Sequence, residues 1–139
     1  LLIFGIVINE TANNIINIFL DDKSLRKQVM SIETDSTPLE DPKNPDTCNA
    51  FAIYSLLAND EQIAAMKANY LGGNYGYGHA KQALFELICE KFKTERKQYS
   101  YYMNNLTEVD ALLKIGAQKA SVVANGVLAR VREKLGFEV

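Results

Sequence analysis

The chain has 139 residues, a formal net charge of −2 and a hydrophobic fraction of 47%. This length fits one domain that buries roughly two-thirds of its unfolded surface, and the composition excludes a disordered protein. Charge is uneven along the chain: residues 1–70 carry five Lys and Arg against ten Asp and Glu, whereas residues 71–139 carry ten against seven. The second half is therefore mildly basic, which suits either a solvated helix surface or contact with phosphates.

The chain has too few cysteine and histidine residues for a disulfide framework or for the common kinds of metal site. Cys48 and Cys89 give neither a disulfide framework nor a zinc-ligand spacing, which favours a reducing, cytoplasmic location. The single histidine, His79, excludes a histidine-based metal site, and we expect no metal. Residues 1–8 are apolar but shorter than the roughly 20 residues that span a membrane, so no membrane partner is expected. The chain does not begin with methionine, and we expect a fragment or a processed piece.

Apolar periodicity predicts an all-α chain, a helical bundle of about five helices behind a short apolar lead. The lead, residues 1–8, has the pattern of a buried strand. Asp21 or Asp22 then caps a first helix, whose apolar stripe is Leu25, Val29 and Ile32. Residues 36–47, here called the proline loop, contain all three prolines and are predicted to be extended.

Capping patterns mark the later helices. A second helix is predicted to start near residue 47. Asn59 begins the third helix, and Gln62 stands in the capping-box position of that helix. A fourth, long helix is predicted over residues 78–103. Thr107, with Asp110 three residues later, begins a fifth that is also long and packs antiparallel to the fourth. Gly136 ends it, and its predicted core stripe is Val109, Leu112, Leu113, Gly116, Ala120, Val123, Val127, Val131 and Leu135.

Residues 72–81, here called the glycine junction, separate the short helices from the long ones. The junction reads Gly-Gly-Asn-Tyr-Gly-Tyr-Gly-His-Ala-Lys and holds four of the eight glycines. Glycines of this kind typically end one helix and begin another. The tyrosines and the lysine add stacking faces and a positive charge, so the residues alone leave two interpretations open: an ordinary turn, or a loop that contacts a ligand.

Familiar catalytic and nucleotide-binding patterns do not occur. No Gly-x-x-x-x-Gly-Lys-Ser/Thr loop is present, and the clustered glycines do not follow a strand, which argues against a dinucleotide site. The paired carboxylates stand at helix starts or in loops, where the helix dipole or solvation explains them. From the residues alone, the chain is a helical module without a named function.

Several short motifs nevertheless follow one another in a specific order. They are the runs 13–19, 34–36 and 45–54, then Tyr75-Gly76-Tyr77-Gly78 with Lys81, and finally 116–120 and Arg130-Val131-Arg132. Together they closely resemble the C-terminal half of a bacterial-type tryptophan–tRNA ligase (tryptophanyl-tRNA synthetase), a class I aminoacyl-tRNA synthetase. The resemblance covers residues 13–139.

This resemblance implies a parent enzyme that works as a homodimer, with most of the dimer contact in an α/β domain. That domain activates tryptophan with ATP and magnesium and transfers it to its tRNA. The helical domain that follows recognises the anticodon. Here residues 1–20 would be the lead segment, from the nucleotide-binding domain or unrelated to it, and residues 21–139 the anticodon-binding domain. The expected partner is tryptophan tRNA, with no DNA and no cofactor in this piece.

Two departures from the family pattern limit what the chain is expected to do. The family's Lys-Met-Ser-Lys-Ser loop should precede Asn13, but the sequence there reads Val7-Ile8-Asn9-Glu10-Thr11, without a lysine. The family's His-Ile-Gly-His motif is absent as well. We therefore expect tRNA binding without ATP binding or catalysis, and no catalytic residue. Thr94 stands where relatives often carry proline, which predicts a straighter fourth helix.

The resemblance suggests two sets of RNA-binding residues. The first lies in the glycine junction, where rings and polar groups meet anticodon bases: Tyr75, Tyr77, His79 and Lys81. The second lies on the long helices and would bind phosphates: Lys91, Arg96, Lys119, Arg130 and Arg132. The alternative is a helical protein-interaction or structural module that binds no RNA, whose mark would be a contiguous exposed apolar patch.

Overall fold

The computed structural model describes residues 15–137, in which all regular structure is helical. The described residues belong to two compact units, residues 15–96 and residues 97–137. The helices are α1 (Asp22–Met30), α2 (Asn49–Leu57), α3 (Asp60–Gly72), α4 (Tyr77–Lys91), α5 (Lys93–Asn104) and α6 (Leu106–Lys134), with a 3₁₀ turn at Pro45–Thr47. The predicted all-α class is confirmed. The predicted strand at 1–8 lies outside the described residues, and the boundary after residue 20 stays a prediction.

The first and third helices begin where their capping residues predict. The Asp21 carboxylate accepts a hydrogen bond from the backbone N–H of Ser24 at 3.1 Å. Hydrogen bonding to the Ser24 side chain and then to its backbone lowers the pKa of Asp21. At the start of α3, Asn59 Oδ1 accepts from the Gln62 N–H at 2.9 Å while Gln62 Oε1 accepts from the Asn59 N–H at 3.0 Å. This reciprocal capping box satisfies two of the N–H groups that a helix start leaves without partners.

The core of the first unit forms around α4, which packs against both α1 and α2. Leu84 and Ile88 of α4 are almost completely buried, and they belong to one cluster with Leu25 and Val29 of α1. Helix α3 contributes Tyr70, which is fully buried. The apolar stripe predicted for the first helix is thus confirmed at Leu25 and Val29, and the core lies directly beneath the glycine junction.

The proline loop folds around a buried lysine. Lys43 is only 2% exposed, and its ammonium donates to the carbonyl oxygens of Pro38 at 2.8 Å, Leu39 at 3.3 Å and Asp41 at 3.1 Å. The backbone N–H of Lys43 also donates to the Tyr70 carbonyl at 2.7 Å, near the end of α3. Prolines supply no N–H donors, so the lysine provides the hydrogen bonds that this segment otherwise lacks.

The prediction of one continuous helix over residues 78–103 is wrong. Helix α4 ends at Lys91 and α5 begins at Lys93, with Phe92 between them at φ −104° and ψ 19°. Neither proline nor glycine stands at this break, so local propensity does not cause it. Tertiary contacts account for it instead, because Phe92 packs against the core and the half-buried Arg96 bonds to residues near α1.

Arg96 joins the start of α5 to the chain that precedes α1. Its Nη2 donates to the Leu20 carbonyl at 2.9 Å and to the Asp22 carboxylate at 2.6 Å, and its Nη1 donates to Cys89 Sγ at 3.1 Å. The Arg96 side chain is 17% exposed, whereas Asp22 is 78% exposed, so solvent weakens this ion pair. The directed hydrogen bonds of the guanidinium, more than the ion pair, therefore hold Arg96 in its position.

The sequence predicted the end of helix α6 correctly, but not its start. The predicted capping box of Thr107 and Asp110 is wrong, because the helix begins at Leu106 with Asn105 as its N-cap residue. The predicted stop at Gly136 is confirmed: Gly136 has φ +75°, and its N–H donates to the Glu133 carbonyl at 3.1 Å. The Phe137 N–H donates to the Arg132 carbonyl at 2.9 Å, which completes a Schellman motif.

The prediction that an apolar stripe of the last helix is buried in a core is wrong. No residue of α6 is buried, and most of its large apolar side chains are exposed. The predicted antiparallel packing of the two long helices involves both units and stays a prediction. Over residues 15–137, no helix combines the length and apolarity that crossing a membrane requires.

Candidate nucleic-acid interface

The glycine junction turns the chain sharply between α3 and α4. Helix α3 ends at Gly72, Gly73 has φ +71° and ψ 177°, and Asn74 follows at φ +56°. The backbone conformation of Gly73 is one that only glycine adopts readily. A Cβ at this position would also lie 2.5 Å from the Glu40 carbonyl oxygen, so the junction and the proline loop meet at a point with no room for a side chain.

Aromatic rings fill the space beneath the junction. Tyr70 lies at the centre, with ring centroids 5.5 Å from Phe51, 5.9 Å from Tyr75 and 6.1 Å from Tyr77. The Tyr70 hydroxyl is 3.3 Å from Cys48 Sγ, and burial is the main cause that raises the pKa of Tyr70 far above its ordinary range. Tyr75 is half-buried, and burial raises its pKa as well. These rings give the junction a rigid base.

Tyr77 is held at both its hydroxyl and its ring. Its hydroxyl donates to the Asp35 carboxylate at 2.7 Å, and the Lys43 ammonium lies 5.5 Å from its ring centroid. Partial burial and then the hydrogen bond to Asp35 raise the pKa of Tyr77 to about 12. Asp35 also accepts from the Thr37 N–H at 2.9 Å, and hydrogen bonds from Thr37 and Tyr77 lower the pKa of this exposed carboxyl. Tyr77 therefore links α4 to the proline loop.

His79 is the exposed ring of the junction. Its Nδ1 accepts a hydrogen bond from the Gly76 N–H at 3.3 Å, which leaves Nε2–H as a donor in the neutral ring. The ring of Tyr75 lies 5.5 Å from it, centroid to centroid. Two neighbouring rings, one of them exposed and one half-buried, are suited to stacking on a nucleic-acid base.

The raised pKa of Tyr77 predicts a loss of stability at high pH. The folded chain holds the phenolic proton more tightly than the unfolded chain, whose tyrosines titrate near 10.0. The Tyr77 contribution is therefore fully present below pH 10 and lost as pH rises to about 12. Urea unfolding across this range should show a smaller loss for Tyr77→Phe than for the unmodified chain. Tyr102→Phe on α5 is the control, and an equal effect of both variants would contradict the assignment.

Sequence comparison finds long matches to named enzymes, although no family model matches the chain. The chain is 42% identical over 133 residues to the tryptophan–tRNA ligase of Fusobacterium nucleatum, covering 96% of this chain and 41% of that protein. It is 36% identical over 133 residues to the tryptophan–tRNA ligase of Campylobacter jejuni, covering 96% of this chain and 42% of that protein.

Solved structures agree with the sequence matches. The crystal structure of tryptophanyl-tRNA synthetase from Campylobacter jejuni matches 94% of this chain and 42% of its own length, with a TM-score of 0.89 at 36% identity. The same enzyme complexed with ADP and tryptophan also gives a TM-score of 0.89. The chain belongs to the tryptophan–tRNA ligase family. It spans 41–42% of the length of these two curated ligases, as a C-terminal segment.

The structure brings together the first set of residues that resemblance to the ligases suggested. Tyr75, Tyr77 and His79 lie at the start of α4 within one aromatic group. Lys81 is half-buried beside them on α4, and its ammonium donates to the Met30 carbonyl at 3.3 Å. A positive charge at the end of α1 is favourable for the helix dipole, so Lys81 also has a structural role.

The second set is dispersed. Lys91 is exposed at the end of α4, whereas the contacts of Arg96 within the first unit favour a structural role. Lys119, Arg130 and Arg132 are exposed on α6 in the second unit. The RNA-binding role of both sets stays a prediction for this segment of a ligase.

Sequence reasoning missed the residues that support the junction from below. Asp35 lies within one of the short motifs that carry the family resemblance, and Lys43 lies in the proline loop. One signal was available: the proline loop lacks enough N–H donors, and Lys43 is its only cation. The sequence gives no sign of the contact between Gly73 and Glu40, because that contact depends on how two distant segments meet.

Proposed function

We propose that this chain is the part of a tryptophan–tRNA ligase that binds the anticodon region of tryptophan tRNA. The match to tryptophan–tRNA ligases over 96% of the chain carries this proposal. The glycine junction supports it, because a rigid aromatic base presents the exposed His79 beside Tyr75. Single-stranded anticodon bases are recognised by such ring surfaces together with nearby polar groups.

Phosphate contacts complete the proposed interface. Exposed cations on the long helices are suited to them: Lys91, Lys119, Arg130 and Arg132. Arg96 was included in the prediction, but its guanidinium already donates to Leu20, Asp22 and Cys89, so we assign it a structural role within the first unit. Phosphate contacts position the RNA, and the junction supplies selectivity.

The whole protein is proposed to be a cytoplasmic, homodimeric enzyme that attaches tryptophan to its tRNA with ATP and magnesium. The present chain is proposed to lack this activity. No Lys or Arg precedes Lys23, so residues 7–11 offer no cation for the ATP phosphates that the family's lysine loop holds. We therefore derive no ATP-dependent step for this chain.

Competition binding tests this proposal. Labelled tryptophan tRNA is bound to the chain on filters, at low and at moderate salt, and is displaced by unlabelled tryptophan tRNA or by a non-cognate tRNA. We expect the cognate competitor to be at least about tenfold more effective, equivalent to about 1.4 kcal/mol of selective binding. Equal displacement by both RNAs would contradict anticodon recognition, because phosphate contacts alone produce a salt dependence without selectivity.

The second candidate function, a protein-interaction module, is favoured by one observation. Helix α6 exposes many large apolar side chains, including Leu113, Val122 and Val123. If the chain binds no RNA but associates with protein, this candidate replaces the first.

A further inference from the structure

Two charged residues from a distant part of the chain hold Tyr77 of the glycine junction. Asp35 lies immediately before the proline loop, and its carboxylate accepts a hydrogen bond from the Tyr77 hydroxyl at 2.7 Å. Lys43 lies within the loop, and its ammonium is 5.5 Å from the centroid of the Tyr77 ring. One residue therefore holds the hydroxyl of Tyr77, and the other holds its ring.

Neither of these charges is suited to contact RNA directly. The Lys43 ammonium donates to three backbone carbonyls of the proline loop, and the residue is only 2% exposed. An ammonium has three donors, so none remains for a phosphate. Asp35 is exposed, but its negative charge repels phosphates. Any effect of either residue on RNA binding therefore passes through Tyr77.

We propose that Asp35 and Lys43 are positioning residues for the RNA contact of the glycine junction and act through Tyr77. This inference rests on the proposed function. Tyr77 is the first residue of α4, and Tyr75 and His79 lie two residues to either side of it. Fixing Tyr77 therefore fixes the segment that carries both of the neighbouring rings.

Two glycines let the proline loop lie directly against the junction. A Cβ at Gly73 would be 2.5 Å from the Glu40 carbonyl oxygen, and a Cβ at Gly76 would be 3.1 Å from Leu39 Cδ1. The loop thus contacts the junction at two backbone positions in addition to the Tyr77 ring. Movement of the loop is therefore coupled to movement of the junction.

An ordered junction lowers the cost of selective RNA binding. A segment that is free to move loses conformational entropy when it becomes ordered against a base, and this loss weakens binding. In this chain, the contacts with Tyr77 supply that order before RNA binds. Removing either contact should therefore weaken the selective part of RNA binding, which depends on the junction, and not the phosphate contacts proposed elsewhere.

Competition binding with Asp35 variants tests the positioning role. Asp35→Ala removes the acceptor, and we expect the advantage of tryptophan tRNA over a non-cognate tRNA to fall at least about fivefold. Asp35→Asn keeps an oxygen that can accept from Tyr77, and it should retain the advantage. Asp46→Ala removes the same side chain from an exposed position of the proline loop and should retain the advantage as well.

Lys43→Met removes the contact with the Tyr77 ring, and we expect a similar fall in the advantage of the cognate tRNA. This variant is also less stable, so it needs a destabilised control. Val29→Ala serves as that control, because Val29 is fully buried on α1 and its truncation leaves a cavity in the core. It leaves both contacts with Tyr77 in place and should keep the selectivity of the unmodified chain.

Hydrogen–deuterium exchange without RNA separates this inference from the proposed function. We expect exchange over residues 72–81 to be at least about threefold faster in Asp35→Ala than in Asp35→Asn, with equal exchange over α1. Unchanged junction exchange in Asp35→Ala would overturn the positioning role. So would unchanged selectivity in this variant when the unmodified chain is selective, or an equal loss of selectivity in Asp46→Ala. No preference of the unmodified chain for either RNA would overturn the proposed function, and the positioning role with it.

Discussion

Replacing Lys43 with methionine should lower the free energy of unfolding by about 2–4 kcal/mol. Methionine keeps an unbranched apolar side chain in the buried site but removes the ammonium. The carbonyls of Pro38, Leu39 and Asp41 then lose the donor that all three share. The charge also lies against the Tyr77 ring, so the substitution removes that contact as well.

Urea unfolding followed by circular dichroism measures this effect. Lys67→Met on α3 is the matched control, because Lys67 is exposed and undergoes the same chemical change. We expect the control to change stability by less than about 0.5 kcal/mol. Equal, small losses in both variants would show that the proline loop does not depend on the buried ammonium.

Replacing Gly73 with alanine should have an effect at least as large, about 2–5 kcal/mol of lost stability. Two separate effects contribute to this loss of stability. The backbone at φ +71° and ψ 177° is strained for any residue with a side chain. The new Cβ would also lie 2.5 Å from the Glu40 carbonyl oxygen, which is a backbone atom and moves only if the proline loop moves.

The neighbouring glycine provides the control for this prediction. Gly72 is the last residue of α3, and a Cβ built there meets nothing within 4 Å. Gly72→Ala should therefore be neutral or should stabilise the chain by up to about 1 kcal/mol, since alanine favours a helix more than glycine does. If Gly73→Ala unfolds at the same urea concentration as Gly72→Ala, the close approach to Glu40 is not important for stability.

Local sequence patterns predicted the parts of the fold that depend on neighbouring residues. The capping box of Asn59 and Gln62 and the glycine stop at Gly136 are such features, because the atoms involved lie within a few residues of each other. The break at Phe92 was not predictable in this way. It coincides with contacts between Arg96 and residues more than seventy positions earlier, and no local pattern encodes such a contact.

The candidate site likewise has one part that the sequence predicted and one part that it did not. The glycines, rings and cation of the junction were visible in the sequence, and the structure brings Tyr75, Tyr77 and His79 into one group. Asp35 and Lys43, which hold Tyr77, lie more than thirty positions away along the chain. Periodicity also assigned the stripe of α6 to a core, because an apolar face indicates contact but does not identify the contacting surface.

If the glycine junction contacts RNA, bound tRNA should protect its backbone amides from hydrogen–deuterium exchange. The chain is exchanged alone, with tryptophan tRNA and with a non-cognate tRNA, and peptides covering residues 72–81 are compared with peptides covering α1. We expect slower exchange in the junction with the cognate tRNA only. Exchange in the junction that is identical with both RNAs would contradict it.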